Sequence, residues 1–202
     1  MTTAPPADEP AGGDPGTERS DGERPDGELV ARIAVGDRAA FETLYRRHAP
    51  AVMSFVHHLT FDRGIAEDAV QETFLKVWRA AGRFRAGARF TPWLFRIARN
   101  TAWNEAPRRH LRAVGGDGTA GLPREAAGAG PDGAARDSEA AVAAREAVTS
   151  LSEALRTAFV LVRMEGRSLE ETAEILEVPV GTVKSRVAAA EAALRERLGG
   201  VR

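Results

Sequence analysis

Apolar residues recur every three or four positions through most of the chain, and this spacing is typical of helices with one buried side. The spacing returns over 138–198 after an interruption, and no stretch shows the two-residue alternation of a strand. The pattern therefore predicts an all-α protein. In the first half it predicts helices at 28–35, 38–60, 64–81 and 91–106, with Pro50 as a bend or break in the second.

The segment 168–198 carries the sharpest local signal, because it reads as two helices joined by a tight turn. Ser168 and Glu171 form a capping-box pair that begins the first helix, Pro179 ends it, and a second helix resumes near Gly181. This arrangement predicts a helix-turn-helix, whose second helix enters the DNA major groove. A plain helical hairpin is the alternative. The polar cluster at the start of the second helix favours DNA; it consists of Thr182, Lys184, Ser185 and Arg186.

Two segments lack helical spacing and divide the chain. Residues 1–27 hold seven acidic and two basic side chains with almost nothing apolar, which predicts a disordered, solvated tail. An acidic decoy that competes with DNA is the alternative for this tail. Residues 113–137 are rich in Gly, Ala and Pro, a composition typical of a flexible linker. The sequence thus predicts two small helical domains, 28–112 and 138–202, joined by that linker.

Composition narrows the classes of function. The formal net charge is −1, so overall charge indicates no partner, and the absence of cysteine excludes disulfides and thiolate chemistry. No apolar run approaches the roughly 18 residues of a membrane span, and the N-terminus lacks a secretory signal, so we expect a cytoplasmic protein without membrane insertion. Neighbouring His57 and His58 point in different directions on a helix, so they form no two-ligand metal face, and the sequence shows no nucleophile–base set or phosphate-cradling glycine motif. We therefore expect no catalytic residue, no metal site and no cofactor.

Residues 83–112 combine eight arginines with a single acid, Glu105, and several aromatic side chains. Arginines bind phosphates, and exposed aromatics stack on unpaired bases. On a helical projection of 91–106, the side opposite the apolar one carries Arg96, Arg99, Asn100, Trp103 and Asn104. This mixture indicates contact with opened or single-stranded nucleic acid, with the loop 82–89 closing over an extruded base. Trp93 and Phe95 are equally compatible with burial in the core.

The helix at 64–81 has two distinct sides. Val70, Phe74, Val77 and Trp78 lie on the side that we expect to pack inward. On the other side, Leu75 stands among polar residues, and an apolar centre with a polar rim is typical of a protein interface. A lone exposed leucine is also ordinary, so both interpretations stay open at this point.

Four motifs occur in an order and spacing that resemble a known family. FETLYRRHAP, AEDAVQETFLKVW, RFTPWLFRIARN and GRSLEETAEILEVPVGTVKSRV are similar to the ECF (extracytoplasmic-function) group of bacterial RNA polymerase sigma factors. The resemblance covers about 38–112 and 146–198. It implies a region 2 helical bundle and a region 4 helix-turn-helix, and a protein that directs core polymerase to promoters. It also implies three kinds of partner: the polymerase core, promoter DNA and an anti-sigma factor.

The resemblance assigns roles by position. The beta-prime clamp helices of core polymerase are implied to bind Asp68, Gln71, Glu72 and Leu75. The melted non-template strand of the minus-ten element is implied to contact Arg83, Arg85, Arg89, Trp93, Arg96, Arg99, Asn100 and Asn104. Duplex DNA at minus thirty-five is implied to contact Thr182, Lys184, Ser185 and Arg186.

Two features depart from the family pattern. After the GTVKSR motif this chain has three alanines, 188–190, which cannot hydrogen-bond a base edge, so we expect more reliance on shape and phosphate contact at minus thirty-five. Pro107 is expected to end the region 2 helix abruptly. Two other functions compete with the sigma hypothesis: a DNA-binding regulator with a dimerising N-terminal domain, and an enzyme or metal protein.

Overall fold

The computed structural model describes residues 24–85, 87–115 and 139–199, with the backbone alone at 105–115 and 139–140. Every regular element in these ranges is helical, as the sequence predicts. The helices are α1 Asp26–Ala34, α2 Arg38–Thr60, α3 Arg63–Ala80, α4 Phe90–Gly115, α5 Glu139–Thr149, α6 Glu153–Phe159, α7 Leu169–Leu176 and α8 Val180–Gly199. A single turn of 3-10 helix follows α3 at Ala81–Arg83, and a π-helical segment follows α6 at Val160–Met164. None of the described helices is long and apolar enough to cross a membrane.

Helices α1–α4 form the N-terminal unit, a bundle with large side chains at its centre. Phe55 of α2 and Phe95 of α4 are fully buried with ring centroids 5.2 Å apart, so this pair joins the two longest helices of the unit. Aspartates begin two of the helices: Asp37 accepts hydrogen bonds from the Ala39 and Ala40 amides, and Asp62 accepts one from the Ile65 amide. These caps set where α2 and α3 start.

Prolines interrupt the N-terminal unit less than the sequence suggested. Helix α2 continues through Pro50 without a break, and α4 continues through Pro107 to Gly115, so the expected end at Pro107 is wrong. A proline removes one backbone hydrogen bond, and a long helix can retain its course when the turns before it are anchored by packing. Leu94, Ala98 and Ala102 supply that packing in α4, since all three are fully buried.

Helices α5–α8 form the C-terminal unit, which contains the predicted helix-turn-helix in α7 and α8. Ser168 begins α7 by accepting a hydrogen bond from the Glu171 amide at 3.0 Å. The carboxylate of Glu171 binds Arg167 at 2.9 Å instead of completing the capping box. Glu177 ends α7 in a left-handed conformation, φ +55°, and its amide donates to the Ala173 carbonyl. This αL cap makes the tight turn between the two helices.

The two units share a continuous core. Buried residues of α7, such as Ile175, belong to the same apolar cluster as Phe55 and Phe95 of the N-terminal unit. A second, smaller cluster centres on Leu151 and Leu194, with Phe61 from the end of α2 packed against it. The two helical units therefore lie in direct contact. Most of the predicted tail and linker, 1–23 and 116–138, falls outside the described residues.

Candidate nucleic-acid and polymerase interfaces

Helix α4 presents one apolar and one polar side. Leu94, Phe95, Ala98, Thr101 and Ala102 are buried, which turns the intervening positions outward. Of the predicted minus-ten residues on this helix, Arg96 and Arg99 are half-buried, and Asn100 and Asn104 are exposed. We call the set Arg89, Arg96, Arg99, Asn100 and Asn104 the α4 surface.

The loop before α4 rests on a cluster of three aromatic rings. The Trp93 ring lies 5.0 Å from that of Phe84 and 5.8 Å from that of Phe90, measured between centroids. Gly87 turns the loop with φ +82°, a conformation that favours glycine. The predicted DNA-binding arginines Arg83, Arg85 and Arg89 are exposed around this cluster.

The sequence did not decide whether Trp93 and Phe95 are buried in the core, and the structure gives a different result for each. Phe95 is a core residue, fully buried beside Phe55. Trp93 is half-buried in the loop cluster, where its ring packs against those of Phe84 and Phe90.

The α4 surface is not free in this structure, because α7 lies against it. Arg89 binds the Glu174 carboxylate at 3.3 Å, and Arg96 binds Glu177. Arg99 donates to the Ile175 carbonyl at 3.3 Å and to Asn100 Oδ1 at 2.9 Å. Burial lowers the pKa of the Arg99 guanidinium, and the Glu177 carboxylate opposes that shift. Two of these arginines thus pair with carboxylates of the same chain, and the third with a backbone carbonyl.

Trp103 has a role that the sequence interpretation missed. Instead of facing outward for nucleic acid, its ring is half-buried against the core, with the Arg156 guanidinium 5.2 Å from its centroid. The indole Nε1–H meets no hydrogen-bond acceptor among the described residues. Arg156 also donates to the Leu59 carbonyl at 3.2 Å and to the Leu151 carbonyl at 3.1 Å, so it joins α2 to the C-terminal unit.

The residues predicted to contact minus-thirty-five DNA lie at the start of α8. Thr182, Lys184, Ser185 and Arg186, here called the α8 surface, are exposed or half-buried, and Lys184 and Ser185 are the more exposed. The Ser185 hydroxyl donates to the Thr182 carbonyl at 3.0 Å. Val183 and Val187 on the other side of the helix are buried, so the polar set is directed outward. Beyond it, Ala188, Ala189 and Ala192 continue the exposed side, whereas Ala190 is buried.

The outer side of α3 matches the pattern of a protein interface. Val70, Phe74 and Val77 are buried as predicted, and Leu75 is 48% exposed on the opposite side. The predicted polymerase-binding residues around it are Asp68 and Gln71, which are exposed, and Glu72, which is half-buried near Lys76 at 3.7 Å. We call Asp68, Gln71, Glu72 and Leu75 the α3 surface.

A buried carboxylate joins the two units at a place that sequence reasoning did not find. Glu165 follows the π-helical segment, and its Oε1 lies 2.7 Å from His58 Nδ1 and 3.0 Å from the Ser54 hydroxyl, which donates to it. The Glu165 side chain is only 8% exposed. His57 points elsewhere, its ring 6.1 Å from that of His58. The signal for this contact was absent from local patterns, since the partners lie more than a hundred positions apart.

Comparison with known proteins gives these surfaces their context. The Sigma-70 region 2 model matches residues 44–112, and the Sigma-70 region 4 model matches residues 141–194. The RNA polymerase sigma-H factor of Pseudomonas aeruginosa is 34% identical over 180 residues, which cover 86% of this chain and 93% of the relative. The ECF RNA polymerase sigma factor SigM of Mycobacterium tuberculosis is 38% identical over 177 residues, 88% of this chain and 86% of SigM.

A solved structure is similar across both units. The sigma factor RpoE of Bartonella quintana, determined in complex with the anti-sigma factor NepR, is 31% identical and aligns with a TM-score of 0.59. The alignment covers 80% of this chain and 98% of that one. The fold, the matched regions and relatives aligned over most of their length agree: the chain belongs to the ECF group of RNA polymerase sigma factors.

Proposed function

We propose that this chain binds bacterial core RNA polymerase and directs it to promoters by contacting DNA at minus thirty-five and minus ten. The observation that carries the proposal is the two-sided α4. In a chain of the sigma family, its inner side is buried and mainly apolar, and its outer side holds two arginines and two asparagines. Polymerase supplies the chemistry of transcription, so this chain needs to bind and position and has no catalytic step of its own.

Core binding is assigned to the α3 surface. Leu75 is a large apolar side chain with nearly half of its area in solvent, and its neighbours are acidic or amide groups. An apolar centre with a polar rim suits a helical partner, since the centre excludes water and the rim fixes the register. By family resemblance the partner is the pair of clamp helices in the beta-prime subunit.

Minus-ten recognition is assigned to the α4 surface and the loop before it. Asn100 and Asn104 stand one turn apart on the exposed side, and each amide can both donate to and accept from the edge of an unpaired base. Arg96 and Arg99 flank them with positive charge for phosphates. The loop arginines Arg83 and Arg85, together with the half-exposed Trp93, border a place where a non-template base can leave the stack.

Minus-thirty-five recognition is assigned to the α8 surface. Lys184 and Arg186 supply phosphate contacts, and the hydroxyls of Thr182 and Ser185 can reach base edges or phosphate oxygens at the entry of the helix into the major groove. The exposed alanines that follow can meet thymine methyl groups without hydrogen-bonding. Specificity at this element then depends largely on DNA shape and phosphate positions.

The proposed activity also predicts where the protein acts and which class of protein regulates it. A sigma factor works where core polymerase and the chromosome are, which in bacteria is the cytoplasm. The Bartonella quintana relative was solved with an anti-sigma factor, and we expect a protein of that class to bind this chain as well.

Run-off transcription tests the proposal. Purified bacterial core polymerase is incubated with genomic promoter fragments, with and without the full chain, and we expect discrete transcripts only when the chain is present. Leu75→Asp places a charge in the centre of the α3 surface and should abolish both core binding and these transcripts. Val35→Asp is the matched control, because Val35 is a lone valine, 86% exposed, in the turn between α1 and α2.

Two results would contradict the proposal. Normal transcription by Leu75→Asp would remove the α3 surface from core binding. Absence of transcripts, together with specific binding of duplex DNA by the chain alone, would instead favour a polymerase-independent regulator.

A further inference from the structure

The acidic side of α7 occupies the α4 surface. Glu174 and Glu177 are exposed residues of the C-terminal unit, and each pairs with an arginine assigned to minus-ten DNA, Arg89 and Arg96. The backbone completes the arrangement, because the Ile175 carbonyl accepts from Arg99. Three of the five side chains of the α4 surface are thereby engaged by one short helix.

The acceptors on α7 are of the kind that DNA would supply. Carboxylate and phosphate oxygens both form charge-assisted hydrogen bonds with a guanidinium, and both favour its charged form. Asn100 is also affected, since its side-chain oxygen accepts two hydrogen bonds from Arg99 at 3.1 and 2.9 Å. An amide held in this way has less capacity left for a base edge.

The contacts between α7 and the α4 surface are weak enough to be reversible. The Arg89–Glu174 pair is about half exposed on both sides, and the Glu177 carboxylate is 60% exposed. Ion pairs in such solvent-exposed positions are individually weak and are screened by salt. DNA, with many phosphates in a row, can displace them.

A second set of contacts holds the units together away from the α4 surface. Glu165 is buried against Ser54 and His58, and Arg156 binds carbonyls of both units while covering Trp103. This set is available for substitution without altering any residue assigned to DNA. Substitutions in this second set therefore change how the two units are held together without changing the chemistry of the α4 surface.

We propose that region 4 of this chain is an intramolecular inhibitor of region 2: α7 docks on the α4 surface through Glu174 and Glu177 and competes with minus-ten DNA. The inference rests on the proposed function, because it assumes that the α4 surface binds the melted strand. In the docked form Lys184 and Ser185 of the α8 surface stay exposed. The apparent affinity for single strands is then reduced by the fraction of molecules in which the two units are apart.

The experiment uses the full chain and two readouts. Because the chain has no cysteine, Ala31→Cys and Ala154→Cys, both at exposed positions and one in each unit, allow a donor and an acceptor dye to be attached. Energy transfer reports the docking of the units. Binding of a short, mixed-sequence single-stranded DNA oligonucleotide reports access to the α4 surface.

The test variant is Glu174→Gln with Glu177→Gln. We expect it to lower energy transfer and to tighten oligonucleotide binding by about fivefold, the equivalent of two exposed ion pairs. The matched control is Glu170→Gln with Glu196→Gln, which removes the same charge from exposed positions of α7 and α8. The control should match the unsubstituted protein in both readouts. Equal gains by both variants, or unchanged energy transfer in the test variant, would overturn the proposal.

A second variant acts at a distance from the DNA surface. Glu165→Ala removes the buried carboxylate between Ser54 and His58 and should tighten oligonucleotide binding by about tenfold while lowering energy transfer. Its circular dichroism spectrum should match that of the unsubstituted chain. A folded Glu165→Ala variant with unchanged affinity would contradict the inhibitory role.

Failure of this inference can be told apart from failure of the proposed function. Arg96→Gln with Arg99→Gln, introduced into the Glu174→Gln, Glu177→Gln variant so that the ion pairs with α7 are already removed, should weaken oligonucleotide binding if the α4 surface contacts DNA. If these arginine substitutions weaken binding while the glutamate substitutions leave it unchanged, only the inhibition is wrong. If the arginine substitutions leave binding unchanged, the assignment of the α4 surface fails, and the inhibition fails with it.

Discussion

The two surfaces assigned to DNA differ in what the rest of the chain does with them. On the α4 surface, Arg89, Arg96 and Arg99 all have partners on α7. On the α8 surface, Lys184 and Ser185 point into solvent. The surface proposed for duplex DNA is thus largely open, and the surface proposed for single strands is covered. The difference indicates an order of events in which duplex contact at minus thirty-five can precede capture of melted bases at minus ten.

The largest effect is expected when the proposed capture of unpaired bases by the α4 surface is removed alone. Asn100→Ala with Asn104→Ala should reduce open-complex formation by about a hundredfold, because the two amides proposed to bind unpaired bases are lost. Closed-complex formation should change much less, since the duplex contacts are proposed to lie on α8. Permanganate reactivity of melted thymines measures the first quantity, and gel-shift binding to unmelted promoter measures the second. An equal loss of both would refute the base-capture role of the α4 surface.

A second double substitution tests the α8 surface. Lys184→Ala with Arg186→Ala should weaken binding of duplex DNA by about tenfold and make its salt dependence shallower by about two counterions. Binding of the single-stranded oligonucleotide should not change. Arg195→Ala with Arg197→Ala is the control on the same helix, since both are exposed near its other end. Equal weakening by the control would mean that net charge, and not the α8 surface, determines duplex binding.

The smallest effect is expected at Glu177, where the two surfaces meet. Both Glu177→Gln and Glu177→Gly remove the ion pair with Arg96, so both should lower energy transfer between the units. The glycine variant should be more stable than the glutamine variant by about 1 kcal/mol, because φ at this position is +55° and glycine adopts that conformation without strain. Urea denaturation measures the difference. A glycine variant less stable than the glutamine variant would contradict this account of the turn.

The sequence was sufficient for features that depend on neighbouring residues. The start of α7 follows from Ser168, and the buried sides of α3 and α8 follow from helical spacing. Helical spacing also placed Leu75 outward, where the structure has it.

What the sequence could not provide depends on residues far apart in the chain or on local departures from regular geometry. The ion pair between Arg89 and Glu174 spans 85 positions, and the contact between His58 and Glu165 spans 107, so periodicity carries no trace of either. Trp103 was misread for the same reason, because its neighbour Arg156 comes from the other unit. The continuation of α4 through Pro107 depends on packing that a proline rule does not include.

The ring of Phe61 lies between the two units, packed on the small cluster around Leu151 with the Arg145 guanidinium 5.9 Å from its centroid. Separating the units hydrates this ring and the indole of Trp103, and hydration of apolar area raises the heat capacity. Contacts of this kind weaken on cooling, whereas the salt-screened pairs on α7 do not depend on apolar hydration. Under the proposed inhibition, cooling therefore shifts the balance toward the separated form, which gives access to the α4 surface a dependence on temperature.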